Sequence, residues 1–194
     1  GILINLFASR EQAERLLPDL IAGRLVYCQA ITEPGSGSDA FAMRTSAVKS
    51  GNVYLLNGSK TMISNAPIAD RALVFAVTDA AKKMLGGYSC FLVSKGDAGF
   101  SQGKPLEKMG LRTLTNGELI FSDCRVPAAA LIGREGQGAI LFNEVMEWER
   151  TLMPACLLGE LERVQEETVQ YVQTRKAFGQ SIGSFQAVSH KIAM

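Results

Sequence analysis

Histidine is nearly absent from this chain of 194 residues, which has one, and its four cysteines are far apart and form no C-x-x-C pair. Because zinc sites draw on clustered cysteine and histidine ligands, the sequence predicts no metal site. The four thiols are expected to be reduced and buried, as in a cytoplasmic protein.

The chain has no large excess of positive or negative charge, since 20 basic and 19 acidic residues leave a net charge of +1. This balance gives no electrostatic reason to expect nucleic acid or an anionic membrane as a partner. Apolar runs are also short, well below the roughly 20 residues needed to span a bilayer. The first residues, GILINLFASREQ, lack the basic and apolar segments of a signal peptide. A cytoplasmic location without membrane or nucleic-acid partners is the expectation.

Hydrophobic residues are plentiful, at 47% of the chain, which is enough for a core. Ser9 and Gln12 fit a capping box for an amphipathic helix over 11–21. Short strand candidates follow at 25–31, 53–56, 59–64, 72–77, 88–93 and 118–121. Because no helices separate them, they favour an antiparallel β-sandwich or barrel over a parallel sheet. The Asn57-Gly58 pair predicts a type I′ hairpin turn between the second and third of these candidates.

The last third of the chain has a helical pattern. One long helix is predicted from about Ala139 to Lys176, with a kink at Pro154. A break at 178–183 precedes a second helix that starts near Ser184. Its pattern is unfinished at Met194, which suggests a fragment of a longer protein.

The stretch ITEPGSGSDA, residues 31–40, contains the G-x-G-x-x-A pattern of dinucleotide-binding loops. That fingerprint needs a helix that opens at the glycines inside a βαβ unit. The residues after Phe41 run into another strand instead, so we reject the fingerprint. Backbone N–H groups and the hydroxyls of Thr32, Ser36 and Ser38 could still hold a phosphate without using a charge. An ordinary Pro-Gly turn, closed by local hydrogen bonds, is the alternative.

One glutamate of the long helix stands among apolar neighbours. The residues three and four positions from Glu149 are Val145, Met146, Leu152 and Met153. This stripe is expected to enter the core, and burial raises the pKa of a carboxyl group toward neutrality. A carboxylate tuned in this way suits a general base. The alternative is that Glu149 pairs with an arginine and has only a structural role.

Taken together, several motifs resemble the acyl-CoA dehydrogenase family in their wording and order. They are ITEPGSGSD, NGSKTMISNA, KMGLR, DCRVP, EWER and RKAFGQSIGSFQAV. The resemblance covers the chain from about Gly23 and implies an α+β fold. Residues 1–23 would end an N-terminal helical domain, 24–135 would form an antiparallel β-sandwich or barrel domain, and 136–194 would begin a C-terminal helical bundle. It also implies FAD as cofactor and a homo-oligomer, either a tetramer or a dimer.

The resemblance assigns roles to individual residues. FAD contacts are implied at Gln29, Ala30, Ile31, Thr32, Ser38, Met62, Ile63 and Ser64. Contacts to the FAD of a neighbouring subunit are implied at Arg175, Phe178 and Gln186. Ser38 would also touch the substrate, Glu149 matches the catalytic base, and Arg150 would help to bind and orient the substrate. The implied reaction converts an acyl thioester, carried by CoA or by a carrier protein, to a 2-enoyl thioester. An electron-transfer flavoprotein is the implied acceptor.

Some positions depart from the family pattern. Met62 stands where many members have an aromatic residue, and Leu114-Thr115-Asn116 replaces a frequent Ser-Asp-Thr. The GLRT…GEL and MEWER wording resembles members from polyketide or peptide natural-product pathways. The alternatives are an oxidase or monooxygenase, or a non-catalytic flavin-binding protein, on the same scaffold. On its own, this chain is expected to retain FAD weakly and to show no turnover.

Overall fold

The computed structural model describes all 194 residues, which divide into two compact units, Gly1–Val145 and Met146–Met194. The first unit begins with two helices, α1 at Ile2–Phe7 and α2 at Arg10–Ile21. The Ser9 hydroxyl accepts from the Gln12 backbone N–H, and the Gln12 side chain accepts from the Ser9 N–H. This reciprocal pair confirms the predicted capping box.

The rest of the first unit is built on one eight-stranded sheet. Its strands are β1 Tyr27–Ala30, β2 Ser46–Ser50, β3 Val53–Ser64, β4 Arg71–Val77, β5 Tyr88–Ser94, β6 Phe100–Gln102, β7 Asn116–Pro127 and β8 Leu131–Ile132. The order is β6-β7-β3-β2-β4-β5-β8, with β1 also paired to β4. The α+β class is confirmed. The sheet is mixed, because β1 runs parallel to β4 and a single Ser46–Val77 pair joins β2 to β4 in parallel.

The hairpin predicted at Asn57-Gly58 is wrong, because β3 continues through both residues. The chain turns earlier, between β2 and β3, where Gly51 has a φ of 62°. Gly58 instead lies at a shift in the β3–β7 register and has a φ of 143°. A Cβ added there would lie 2.6 Å from Thr45 Oγ1. The glycine therefore serves a β-bulge and a close backbone approach.

The hydrophobic core of this unit is formed largely by strand residues, many of them small or aromatic. It includes Ala30, Ala47, Tyr54, Leu56, Val74, Phe91, Leu119, Phe121 and Val126. Three cysteines, Cys28, Cys90 and Cys124, are buried free thiols as predicted. Cys156 is free but exposed, so the expectation of burial is wrong for that residue.

The long helix α3, Gly138–Thr174, starts in the first unit and continues into the second. Pro154 lies inside this helix, which continues beyond it. The predicted break is a short hairpin of β9, Lys176–Ala177, and β10, Gln180–Ser181. The last helix, α4, spans Gln186–Ala193. No helix is both long enough and apolar enough to cross a membrane.

Candidate active site

The loop that follows β1 leads through one short 3₁₀ turn to β2, and no α-helix opens at its glycines. Rejection of the dinucleotide fingerprint is therefore confirmed. Two backbone hydrogen bonds between Glu33 and Ser36, of 2.9 and 3.1 Å, close a tight turn. The Ser36 hydroxyl then donates to the Asp39 carbonyl over 2.6 Å. The loop thus contains the turn closed by local hydrogen bonds that the sequence offers as the alternative to phosphate binding. These bonds give the loop a fixed shape.

The outward side of this loop consists of exposed small residues. Gly35, Gly37 and Ser38 are exposed. A Cβ added at either glycine would meet no heavy atom within 4 Å. Backbone amides and a hydroxyl on a surface of small residues are a suitable donor set for a phosphate or another polar cofactor group.

A buried ion pair fastens the loop to β3. Lys60 Nζ lies 2.9 Å from Glu33 Oε1, and the side-chain exposures are 0% and 8% respectively. Lys60 Nζ also donates to the Ile31 carbonyl over 2.8 Å. The Glu33 carboxylate accepts the backbone N–H of Arg44 at 2.6 Å and that of Thr45 at 2.9 Å. A further bond of 2.9 Å runs from the Thr61 N–H to the Thr32 carbonyl.

Burial and hydrogen bonding act in opposite directions on this pair. Burial alone would raise the pKa of Glu33, but hydrogen bonds from Thr45, the Arg44 backbone and Lys60 hold it below its ordinary value. For Lys60, burial lowers the pKa and the Glu33 carboxylate opposes that shift. Glu33 is consequently an ionised acceptor at neutral pH.

The far end of β3 has an irregular backbone. The β3–β7 register shifts between Lys60 and Ile63, and Met62 has a φ of 58°, which is uncommon for a residue other than glycine. Met62 is 64% exposed, whereas Ile63 is buried. Bulges often lie next to active sites, where they redirect a side chain. Here the bulge turns Met62 outward beside the fastened loop.

Asn116, at the start of β7, supports this bulge. Its side-chain amide donates to the Met62 carbonyl over 3.0 Å and lies 3.4 Å from Ser64 Oγ. Its amide oxygen accepts from Lys108 Nζ over 2.7 Å. The adjacent Thr115 Oγ1 is buried without a hydrogen-bond partner in the chain. Asn116 is the last residue of the Leu114-Thr115-Asn116 stretch that replaces the frequent Ser-Asp-Thr. This replacement therefore places a side-chain amide against the Met62 carbonyl.

The other end of the loop is held by aromatic residues. The Phe41 ring lies 5.3 Å from that of Tyr88 and 5.1 Å from that of Phe142, measured between centroids. The Tyr88 hydroxyl donates to the Phe41 carbonyl. The loop is thus anchored at both ends.

The positions implied for flavin contact in the first unit fall into two adjacent segments. Gln29 and Ala30 end β1, and Ile31 and Thr32 continue from it toward Lys60 and Thr61. Ala30, the last residue of β1, is fully buried. The bulged end of β3 supplies the second segment, Met62–Ser64, and Ser38 lies on the exposed part of the loop.

Sequence reasoning missed Glu33 and Lys60. A signal for Lys60 was present, since it shares the alternation of the inward-facing Tyr54 and Leu56. A lysine at an inward position requires a buried anion.

Glu149 is exposed, so the expectation that it enters the core with its stripe is wrong, although Val145 at the start of that stripe is buried. Leu152 and Met153 on the same stripe are 51% and 65% exposed. The spacing of a helix shows which residues share a face but not whether another element packs on that face. Partial burial of the carboxyl group still raises the pKa of Glu149. Arg150 is exposed, and neither residue forms an ion pair.

The three residues implied for contact with a neighbouring subunit lie around the β9–β10 hairpin. Arg175 follows α3, and its carbonyl accepts from the Ile182 N–H over 2.8 Å. Phe178 is 96% exposed, and its ring packs edge-on against Phe185 with centroids 6.1 Å apart. Gln186 is exposed at the first position of α4. All three residues are therefore exposed within one segment, residues 175–186.

Comparisons with known proteins give consistent matches. Residues 28–124 match the acyl-CoA dehydrogenase middle domain, and residues 136–194 match the acyl-CoA dehydrogenase C-terminal domain. The mitochondrial isovaleryl-CoA dehydrogenase of Pongo abelii is 43% identical over 183 residues, which are 94% of this chain and 43% of that protein. The L-prolyl-[peptidyl-carrier protein] dehydrogenase of Pseudomonas fluorescens is 42% identical over 188 residues, 96% of this chain and 49% of that protein.

Solved structures agree with the sequence matches. The prolyl acyl carrier protein oxidase AnaB superposes with a TM-score of 0.95 at 39% identity, over 99% of this chain and 50% of that one. PigA with FAD and proline gives a TM-score of 0.95 at 36% identity, with the same coverage. The chain spans about half the length of the curated relatives that it matches.

Proposed function

The chain belongs to the acyl-CoA dehydrogenase family, and on that premise we propose that its protein is an FAD-dependent oxidoreductase. It removes two hydrogens from an acyl thioester and yields the 2-enoyl thioester. The observation that carries the proposal is the pair of adjacent segments, a rigid loop of exposed small residues and the bulged end of β3. When bound, the flavin supplies the acceptor for the hydride that leaves the β carbon.

The chain offers a donor set that fits FAD. The loop contributes exposed backbone and the hydroxyls of Thr32 and Ser38, while open space at Gly35 and Gly37 admits a large group. Gln29, Ala30, Ile31, Met62, Ile63 and Ser64 complete the proposed contacts. The orphaned Thr115 hydroxyl is a further unused polar group near this end of the sheet. Donors of this kind bind the cofactor without requiring a cluster of charges.

Glu149 is the proposed base. Its carboxylate takes the proton from the α carbon of the thioester, and Arg150 binds and orients the substrate. Partial burial of its carboxyl group raises the pKa of Glu149, which brings its proton affinity closer to that of a base working near neutral pH. Its exposure within this chain leaves the carboxyl group accessible.

Three further parts of the proposal concern partners. Arg175, Phe178 and Gln186 contact the FAD of a neighbouring subunit in a homo-oligomer, a tetramer or a dimer, since all three are exposed on one segment. The guanidinium fork of Arg175 suits a pyrophosphate. The substrate is carried by CoA or by a carrier protein, because relatives of both kinds match at about the same identity. An electron-transfer flavoprotein accepts the electrons in the cytoplasm.

The test uses the complete protein, purified and scanned for flavin absorbance. Panels of acyl-CoA and acyl-carrier-protein thioesters are added without oxygen to the wild type, Glu149→Gln and Glu147→Gln. Glu147 is a matched control, because it is an exposed glutamate two residues away on the same helix. We expect a thioester to bleach the flavin of the wild type and of Glu147→Gln. Bleaching by Glu149→Gln should be slower by about a hundredfold or more, since a general base contributes on this scale.

Equal bleaching rates in all three proteins would place the base elsewhere. Flavin that no thioester bleaches would contradict the dehydrogenase. Rapid reoxidation of the bleached flavin by oxygen, followed by stopped flow, would instead indicate an oxidase.

A further inference from the structure

The Glu33–Lys60 ion pair is the most deeply buried charged contact of the chain, yet neither residue lies on the exposed surface of the candidate site. Removing two charges from water costs free energy that their attraction often fails to recover. Hydrophobic residues of similar volume would fill the same space at no such cost. A buried pair of this kind therefore calls for an explanation beyond stability.

The contacts of the pair join three separate pieces of backbone. Lys60 belongs to β3, and its amine reaches the Ile31 carbonyl at the start of the loop. The Glu33 carboxylate reaches forward to the backbone N–H groups of Arg44 and Thr45, where the loop ends. The 2.9 Å bond between the pair closes the arrangement. Loop entry, loop exit and strand are thus tied to one another through charged, directional bonds.

The tie is adjacent to the strained part of β3. Met62, with its left-handed backbone, follows Lys60 by two residues. Unusual backbone conformations persist only where the surroundings over-determine them. Lys60 on one side and Asn116 on the other, which donates to the Met62 carbonyl, fix the two ends of this bulge.

We propose that Glu33 and Lys60 are positioning residues that set the spacing between loop residues 31–38 and strand residues 62–64. This inference rests on the proposed function, since the ligand held by the two segments is FAD. The ion pair touches neither cofactor nor substrate. It acts through the backbone that it fixes, and small displacements of such a frame weaken a site strongly.

The test compares the Glu33→Gln/Lys60→Met double variant of the complete protein with the wild type. Both substitutions keep the approximate side-chain length and remove the charges, and Met43 already lies beside Lys60. A matched control, Glu14→Gln/Arg10→Met, removes the exposed ion pair of α2. The measurements are the FAD dissociation constant, the visible circular dichroism of bound flavin, and the melting temperature of the flavin-free protein.

We expect the double variant to fold and to bind FAD at least about tenfold more weakly, with an altered flavin dichroism, because its two segments are no longer held at a fixed spacing. The control should match the wild type in all three measurements. Lys60→Met alone, which leaves the Glu33 carboxylate its hydrogen bonds from the backbone N–H groups of Arg44 and Thr45, should show a weaker form of the same change. It replaces the double variant if that protein does not fold.

Unchanged FAD affinity and dichroism in a folded double variant would overturn the positioning role and leave the proposed function intact. Failure of both variants to fold would also overturn it, because the pair would then serve folding. A wild type that binds no flavin would refute the proposed function itself, and the inference with it.

Discussion

Gly58 shows how one residue sets the geometry beside the candidate site. Its φ of 143° is strained for any residue with a Cβ, and a Cβ would lie 2.6 Å from Thr45 Oγ1 and 2.8 Å from Thr45 Cα. We expect Gly58→Ala to lower the free energy of unfolding by about 1–3 kcal/mol, because backbone strain and overpacking add. Urea unfolding of the flavin-free protein measures this change.

Gly35→Ala is the matched control for that substitution. A Cβ at Gly35 meets no atom within 4 Å, so the free energy of unfolding should stay within about 0.5 kcal/mol of the wild type. Its FAD affinity should fall, because the added methyl group occupies the proposed contact surface. Equal destabilisation by the two variants would contradict the close approach at Gly58.

At the scale of elements, the sequence predicts those parts whose signal is local. The capping box and α2 follow from residues three apart, and the long helix follows from its pattern. The hairpin predicted at Asn57-Gly58 is wrong because the same two residues suit both a turn and a β-bulge. Only the pairing of β3 with β7 distinguishes the two structures. The Glu33–Lys60 contact is beyond local reasoning, since 27 positions separate its partners. The exposure of Glu149 depends on what packs on α3, which its own spacing cannot give.

The contribution of the Glu33–Lys60 ion pair to the free energy of unfolding should depend on pH. The pKa of Glu33 is lowered from 4.5 in the folded chain, so the unfolded chain binds more protons in acid. Its contribution to stability is complete above that value and is lost as the pH falls through the folded pKa. We expect the urea midpoint of the wild type to fall on acidification below pH 4.5 more steeply than that of Glu33→Gln/Lys60→Met. Parallel pH profiles would mean that other carboxylates account for the loss.

At the scale of the whole molecule, α3 carries a large exposed apolar surface. Its members include Leu152, Met153, Leu157, Leu158, Leu161 and Val164. Apolar patches of this extent mark interaction surfaces. We therefore expect the 194-residue chain, expressed alone, to retain FAD weakly and to show no turnover. The ratio of flavin to protein after gel filtration, compared with that of the complete protein, measures retention. Stoichiometric flavin on the isolated chain would contradict the expectation.

The ion pair between loop and β3 also has a practical consequence for protein engineering. Relatives at about 40% identity are natural parents for recombined libraries. A crossover between positions 33 and 60 would combine the acid of one parent with the amine of the other. Such chimeras keep the buried ion pair only where both parents have an acid at position 33 and a lysine at position 60. Crossovers placed before Glu33 or after Lys60 take residues 33–60 from one parent. Libraries designed in this way should contain more flavin-binding members than libraries with crossovers inside that segment.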